Sequence, residues 1–387
     1  MRLFVNFLAA SAGGGLTYIR NVLPQLASEP GLQVTVAVGR SLREEFRDFA
    51  NVEFVELDLP ASRRFFHEQL TLPGVIRGCG ADVLLSAGNF ALRNSPVPQI
   101  LLSRNSIYTS PDFYRDLRSR GEYRLWLDTK VRAFLARKSI QWADVTVAPS
   151  QAFAEELHRW TGKLVRTIPH GFDYETFCRD ATPLSGEVEE KLTRTEGSVK
   201  LLFVSHYNYY RNFETLLQAL ATLRTLLPGR KCKLLLTCKL IAGANPGSYD
   251  PGTAAQLVGE LGISDMVVEL GAVPYRQLHY LYKRADIYIT PAYTETFAHP
   301  LVEAMASGVP VIASDLPVHR EICGDAALYF PRFSPKELAE RVVEIVSSPE
   351  LAAKLRSRGD TRSTAFSWNK HVEELVSLAR SLAAKGE

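Results

Sequence analysis

The sequence predicts an α/β protein built from two parallel-sheet units of similar size. Three observations predict it. The chain opens with a strand, a glycine turn, an amphipathic helix and a second strand. A strand–helix–strand pattern then restarts near Val199. The length of 387 residues allows two to three domains at ~150 residues each.

Leu3–Leu8 reads as a buried strand and Ser11–Gly15 as its turn. Leu16, Ile19, Val22, Leu23 and Leu26 recur with a helical period, and Gln33–Val38 follows as a strand. Further strands are expected at Val52–Leu57, Asp82–Ser86, Gln99–Ser103 and Asp144–Ala148. The polar stretch Asp173–Ser198, with Pro183, Gly186 and Gly197, reads as a linker. Beyond it, strands are expected at Val199–Ser205, Cys232–Cys238, Val267–Leu270, Asp286–Thr290, Val309–Ala313 and Ala327–Phe330. Helices are expected at Asn212–Leu226, Tyr275–Arg284 and Pro335–Ser347. Asp82, Asp144 and Asp286 each open a strand and read as structural. The resulting domains are 1–172, a linker 173–198, 199–366 and a last helix 367–387. In open parallel sheets ligands bind beyond the carboxyl ends of the strands, so a site is expected in a cleft between the two domains.

Composition excludes several classes. Hydrophobic residues at 46% and charged residues at 22% are ordinary for a globular protein, and a net charge of +3 does not argue for nucleic acid. Asn6 and Gly13–Gly15 interrupt what could otherwise start a signal peptide, and no segment has the ~18 apolar residues of a membrane span. Five scattered cysteines fit reduced, buried core thiols in a cytoplasmic chain.

The stretch Thr290–Pro310 carries the chemistry. A strand ends at Thr290, and a loop brings Glu295. Pro300 suits the first helical position, and Gly308 with Pro310 ends the helix. The amides of Phe297, Ala298 and His299 then face outward at a helix N-terminus, where an anion binds. Glu295 lies just before that point and Glu303 one turn inside it. Two acids around a phosphate-binding helix end suit a phosphorylated, hydroxyl-rich ligand such as a nucleotide-sugar. On spacing alone, their complementing the helix dipole explains them equally well.

Glu295-x7-Glu303, followed by Ala-Met-Ala-Ser-Gly-Val-Pro-Val, resembles the signature of family 4 retaining glycosyltransferases with the GT-B fold. Gly13, Gly14 and Gly15 resemble that family's N-terminal glycine loop. Pro169–Asp173 resembles its junction motif, and Phe203–His206 with Arg211–Leu217 the opening of its C-terminal domain. The resemblance implies two Rossmann-like domains and a C-terminal helix, after Phe366-Ser367-Trp368, that crosses back to the N-terminal domain. It implies that Glu303 bonds the nucleotide ribose and Glu295 the donor sugar. Arg211 stands where the family usually has a lysine on the donor diphosphate. Ser205 and His206 take the place of a second cation. Ala298 replaces the usual glycine, and Arg104-Asn105 a usual histidine, with Asn105 as the candidate there.

The implied reaction moves a sugar from a nucleoside diphosphate sugar to an acceptor hydroxyl with retention, in glycan, lipopolysaccharide or glycolipid assembly. No metal or other cofactor is expected. An epimerase or hydrolase on the same fold, and a non-catalytic sugar-nucleotide-binding subunit, are the alternatives. Finally, Phe113–Lys138 holds eight cations and three anions, with Leu125, Trp126, Val131, Phe134 and Leu135 as an apolar face. Two readings stay open for it: an apolar face that is core beneath a solvated cationic exterior, or a peripheral contact with an anionic membrane at its inner face.

Overall fold

The computed structural model describes residues 1–10, 14–47, 49, 51–57, 61–180, 182–245 and 249–386. It divides into two units. The first contains Met1–Thr109, Gly121–Gly171 and Ser367–Glu387; the second contains Ser110–Arg120 and Phe172–Phe366.

The elements of the first stretch are β1 (Arg2–Asn6), α1 (Gly14–Ser28), β2 (Gln33–Val38), α2 (Arg40–Glu45), β3 (Val52–Glu56), α3 (Ala61–Gly78), β4 (Val83–Ser86) and β5 (Gln99–Leu102). Then come α4 (Pro111–Ser119), α5 (Tyr123–Trp142), β6 (Val145–Ala148), α6 (Gln151–Thr161) and β7 (Arg166–Thr167). Among the described residues the first sheet has seven parallel strands in the order β3-β2-β1-β4-β5-β6-β7. Its central strands β1, β4 and β5 are buried on both faces, which explains their continuous apolar runs.

The segment read as a linker is not one. It folds as α7 (Tyr174–Arg179) and α8 (Gly186–Thr193), whose Phe177, Val188 and Leu192 are buried within the second unit. Asp173 and Ser185 cap these helices by accepting from the amides of Thr176 and Val188, so the polar residues that suggested a loop are helix starts. The unit continues with β8 (Val199–Phe203), α9 (Phe213–Leu226), β9 (Cys232–Leu236), α10 (Gly252–Glu260), β10 (Val267–Glu269), α11 (Tyr275–Lys283) and β11 (Ile287–Thr290). It ends with α12 (His299–Ala306), β12 (Val311–Ser314), α13 (Pro317–Cys323), β13 (Ala327–Phe330), α14 (Pro335–Ser347) and α15 (Pro349–Ser363). Its sheet has six parallel strands, β10-β9-β8-β11-β12-β13.

The last helix, α16 (Trp368–Gly386), belongs to the first unit, where Trp368, Val372, Leu375 and Val376 join Ile19, Val22 and Leu26 of α1 in one core. Gly171 is required there. A Cβ on it would lie 2.1 Å from the backbone nitrogen of Trp368. Buried His371 bridges the Tyr18 hydroxyl (2.9 Å) and the Pro169 carbonyl (2.8 Å), and burial pushes its imidazole down to about 4.

The three strand-opening aspartates share one role. Asp82 accepts from the Arg2 amide, Asp144 from the Gln99 amide and Asp286 from the Lys200 amide, each at 2.7 Å. Each satisfies an amide at the start of the neighbouring strand. Cys232, Cys238 and Cys323 are buried, whereas Cys79 and Cys178 are only half-buried, at a helix end and on a short surface helix. Among the described residues no helix is long and apolar enough to cross a membrane.

The segment Ser110–Arg120 departs from the expected domain order. Asp112 pairs with Arg332 (2.6 Å), Arg120 with Glu214 (2.7 Å), and the Tyr293 hydroxyl donates to Asp116 (2.8 Å). Phe113, fully buried, packs beside Tyr210 with ring centroids 6.3 Å apart. These partners place α4 in the second unit although both flanking segments lie in the first.

Candidate active site

In the second unit, two loops at the carboxyl ends of β8 and β11 meet. The first ends in the single-turn helix Tyr209–Arg211. The second runs from Pro291 to Ala298 and enters α12. Asn212 ties them together. Its backbone is left-handed at φ 56°, which asparagine tolerates, and its amide donates to the carbonyls of Pro291 (3.0 Å) and Arg332 (2.6 Å). The Tyr293 amide donates to the Tyr210 carbonyl at 3.1 Å, a second tie. The Ser314 hydroxyl, at the end of β12, donates to the Ala292 carbonyl and holds the start of the second loop.

This frame brings Arg211 and Glu295 together, with Nη1 3.2 Å from Oε1 and both side chains largely buried. Burial opposes the Arg211 charge, but Glu295 foremost, with Tyr210 and Tyr288, holds its pKa above the ordinary value. Arg211 Nε is also buried and has no hydrogen-bond partner among the described residues. The cation is therefore held in place with donor capacity to spare, as an oxyanion site requires.

Glu303 lies on α12, 5% exposed. Its Oε2 accepts from the Tyr282 hydroxyl at 2.9 Å. Burial pushes its pKa up to about 7, and the Tyr282 hydrogen bond only partly opposes this. Tyr288 of β11 stands among the charges; after burial, Arg211, Glu303 and Glu295 each act on its hydroxyl. So the structure gathers Arg211, Glu295 and Glu303 around one strand end.

Pro300 occupies the second helical position rather than the first, because α12 begins at His299. Ala298 is its cap, at φ 64° and ψ 64°, and no side chain caps the helix start. Phe297 is buried, its ring 5.3 Å from that of Phe366. The left-handed conformation costs an L-residue about 1–2 kcal/mol. Ala298→Gly removes that strain but adds about 0.5–1 kcal/mol of unfolded-state entropy. A net stabilisation of about 0.5–1 kcal/mol is expected in urea denaturation, and a destabilised variant would contradict the strain.

The other candidates are placed differently. The Ser205 hydroxyl donates to the His206 carbonyl (2.7 Å), and the Ser205 amide to Thr237 Oγ1 (2.9 Å) beyond the end of the neighbouring β9, so both are already engaged. His206 is exposed, and desolvation followed by the Arg211 charge lowers its pKa. It stands close to the cation and is disfavoured as a second one. Buried His319 of α13, which the sequence reading did not single out, donates through Nδ1 to the Ser314 carbonyl (2.9 Å). Burial lowers its pKa, and Glu295 and Arg211 are within electrostatic reach. It braces the strand end that holds the Glu295 loop.

In the first unit, Gly13 lies outside the described residues. Gly15 makes a close approach, since a Cβ there would lie 3.2 Å from the Ala10 Cα, whereas Gly14 has open space. Asn105 is engaged locally, its side chain accepting from the Ile107 amide at 3.2 Å to cap the turn Ser106–Tyr108. Its neighbour Arg104 is the missed residue. It donates to the carbonyls of Gly14 (3.1 Å) and Ala87 (2.9 Å), and its guanidinium carbon lies 4.7 Å from the Tyr18 ring centroid. Burial lowers its pKa, and no carboxylate among the described residues pairs with it. The legible signal was a cation at the carboxyl end of a buried strand.

Comparison with known proteins gives the family and the fold. Residues 186–362 match the model for Glycosyl transferases group 1, and residues 12–176 that for Glycosyltransferase Family 4. The chain is 25% identical over 255 residues to D-inositol 3-phosphate glycosyltransferase of Nocardiopsis dassonvillei, covering 63% of this chain and 57% of that protein. It is 27% identical over 245 residues to alpha-monoglucosyldiacylglycerol synthase of Streptococcus pneumoniae, covering 62% of this chain and 53% of that protein. The matched region thus spans a little over half the length of these relatives. The fold is shared along its full length with sucrose-phosphate synthase from Thermosynechococcus elongatus, at a TM-score of 0.76 and 21% identity, with 100% of both chains covered. Anabaena HepE in complex with UDP-glucose has a TM-score of 0.71 and 15% identity, with 99% of this chain and 100% of that one covered. With two adjoining family matches over most of its length and two parallel-sheet units of this design, the chain belongs to the GT-B-fold glycosyltransferases of family 4.

Proposed function

We propose that the protein transfers a sugar from a nucleoside diphosphate sugar to an acceptor hydroxyl with retention of anomeric configuration. The observation that carries this is the Arg211–Glu295 pair beside the start of α12, with Glu303 one turn inside the helix. In such a transfer the sugar becomes oxocarbenium-like while negative charge builds on the leaving diphosphate. Arg211 and the α12 dipole stabilise that charge, Glu295 orients the donor sugar through its hydroxyls, and Glu303 accepts from the ribose hydroxyls. The diphosphate can itself take the acceptor proton, so no covalent nucleophile is needed. The cytoplasm, where nucleotide-sugars are made, is the setting that fits.

The test is to incubate the protein with a panel of nucleotide-sugars and glycan or lipid acceptors and to read product configuration by proton NMR. A retained glycoside formed only with acceptor supports the proposal. Epimerised donor, or free sugar alone in the presence of every acceptor, counts against it. Transfer should also proceed without divalent metal, because a protein cation and helix-end amides already meet the diphosphate. Activity should survive exhaustive chelation; complete loss reversed by Mg²⁺ or Mn²⁺ would overturn that part.

A further inference from the structure

Helix α5 of the first unit has two apolar sides. Thr129, Ala133, Ala136, Ser139 and Ile140 are buried and form its inner face. On the opposite side stand Tyr123, Leu127, Val131 and Phe134, between 52% and 67% exposed. Their spacings of four, four and three residues place them on one stripe, and Lys138, four residues on, continues it. The stripe is about 22 Å long at 1.5 Å per residue.

Cations border it closely. Arg124, Lys130, Arg137 and Lys138 are all exposed and flank or extend the stripe. Lys138 lies over the Phe134 ring at 5.8 Å and Lys130 over Trp126 at 5.6 Å. Arg124 and Arg137 have no carboxylate partner among the described residues. The helix's one acid, Asp128, is taken by Arg132 at 2.7 Å. Leu125, Trp126 and Leu135, expected on the outer face, are half-buried, and Phe113–Arg120 belongs to the second unit with Arg115 and Arg120 already paired. The exposed surface is therefore narrower than the sequence suggested and confined to α5.

We infer that this face of α5 docks on an anionic lipid bilayer, with Tyr123, Leu127, Val131 and Phe134 entering the interfacial region and Arg124, Lys130, Arg137 and Lys138 meeting lipid phosphates. Charge selects the occupant. A second copy packed stripe to stripe would set these cations against themselves, with no free acid on the helix to answer them. A bilayer offers an apolar layer beneath a plane of negative charge, which matches the stripe and its borders together. Long cationic side chains beside aromatics and leucines can keep their heads at phosphate depth while their stems stay apolar. The inference stands apart from the transfer chemistry, because binding is scored without any nucleotide.

The test is co-sedimentation with vesicles of phosphatidylglycerol and phosphatidylcholine, or of phosphatidylcholine alone, at 50 and 500 mM salt. The wild type should pellet with the anionic vesicles at low salt and be released at high salt. Each cation near an anionic leaflet contributes about fivefold, ~1 kcal/mol, so Arg124→Gln with Arg137→Gln and Lys138→Gln should lower partitioning about a hundredfold. Leu127→Asp with Phe134→Asp should abolish it. Both variants change only exposed side chains, so their circular dichroism and thermal midpoints should match the wild type. Equal pelleting on both vesicle types, no pelleting at 50 mM salt, or folded variants that bind like the wild type would overturn the inference. So would a dimer in sedimentation velocity that the double aspartate variant dissolves.

Discussion

Glu303→Gln is expected to make the ligand-free protein more resistant to unfolding at pH 8 than the wild type, and to weaken nucleotide binding. The folded-state pKa of about 7 lies above the ordinary 4.5. Between these values the folded state holds the proton that the unfolded state has released, so stability falls as pH rises from 4.5 and levels off above 7. At 1.36 kcal/mol per pH unit, the carboxylate costs the wild type about 3 kcal/mol at pH 8 that it does not cost at pH 4. Glutamine still accepts from Tyr282, but its buried amide group is imperfectly satisfied, a fixed cost of about 1–3 kcal/mol. That cost is the same at every pH. Unfolding midpoints of both proteins from pH 4 to 8 should therefore diverge in the variant's favour by about 2–4 °C per kcal/mol as pH rises. Parallel curves would show that Glu303 is not held as an acid. Donor binding has the opposite sign: in the proposed role Glu303 accepts from ribose hydroxyls as a carboxylate, so wild-type affinity should weaken below pH 7, and the variant should lose this dependence.

Arg211→Ala is expected to lower turnover by two to three decades, the usual cost of removing one donor from a developing oxyanion. It also strands Glu295, whose side chain is 13% exposed, without its cation. Breaking a buried pair from one side costs about 3–5 kcal/mol, so the variant should also melt early. Arg211→Ala combined with Glu295→Gln separates the two effects, because it removes the stranded charge. The double variant should recover most of the stability and none of the turnover. Recovery of both would mean that the pair is structural and the catalytic cation lies elsewhere.

The sheets were legible because parallel strands buried on both faces are continuous apolar runs, and Asp82, Asp144 and Asp286 mark their starts by a repeated hydrogen bond. Gly171 was legible as part of a motif, but its reason is a contact with Trp368 almost two hundred residues away. The placement of α4 was not legible. Phe113 has an apolar partner, Tyr210, that only the tertiary fold supplies. The outward face of α5 was hidden for a different reason. Small residues such as Ala133 and Ala136 form the inner side, so of the large apolar residues that the sequence marked only Val131 and Phe134 face outward, while Leu125, Trp126 and Leu135 are half-buried. At the site, spacing located Glu295 and Glu303 but gave no depth, and depth is what turns Glu303 from a surface acid into one with a pKa of about 7. Arg104 escaped because its meaning depends on having no carboxylate nearby, which one strand cannot reveal.

The central claim, that the Arg211–Glu295–Glu303 site holds a nucleoside diphosphate, is tested most directly by titration calorimetry. UDP, GDP and ADP would be titrated at pH 8 into the wild type, Arg211→Ala with Glu295→Gln, and Glu303→Gln. At least one diphosphate should bind the wild type, and each variant should bind it about one to two decades more weakly, the cost of one charged hydrogen bond. If a diphosphate binds all three proteins with equal affinity, the nucleotide lies elsewhere and the account is contradicted.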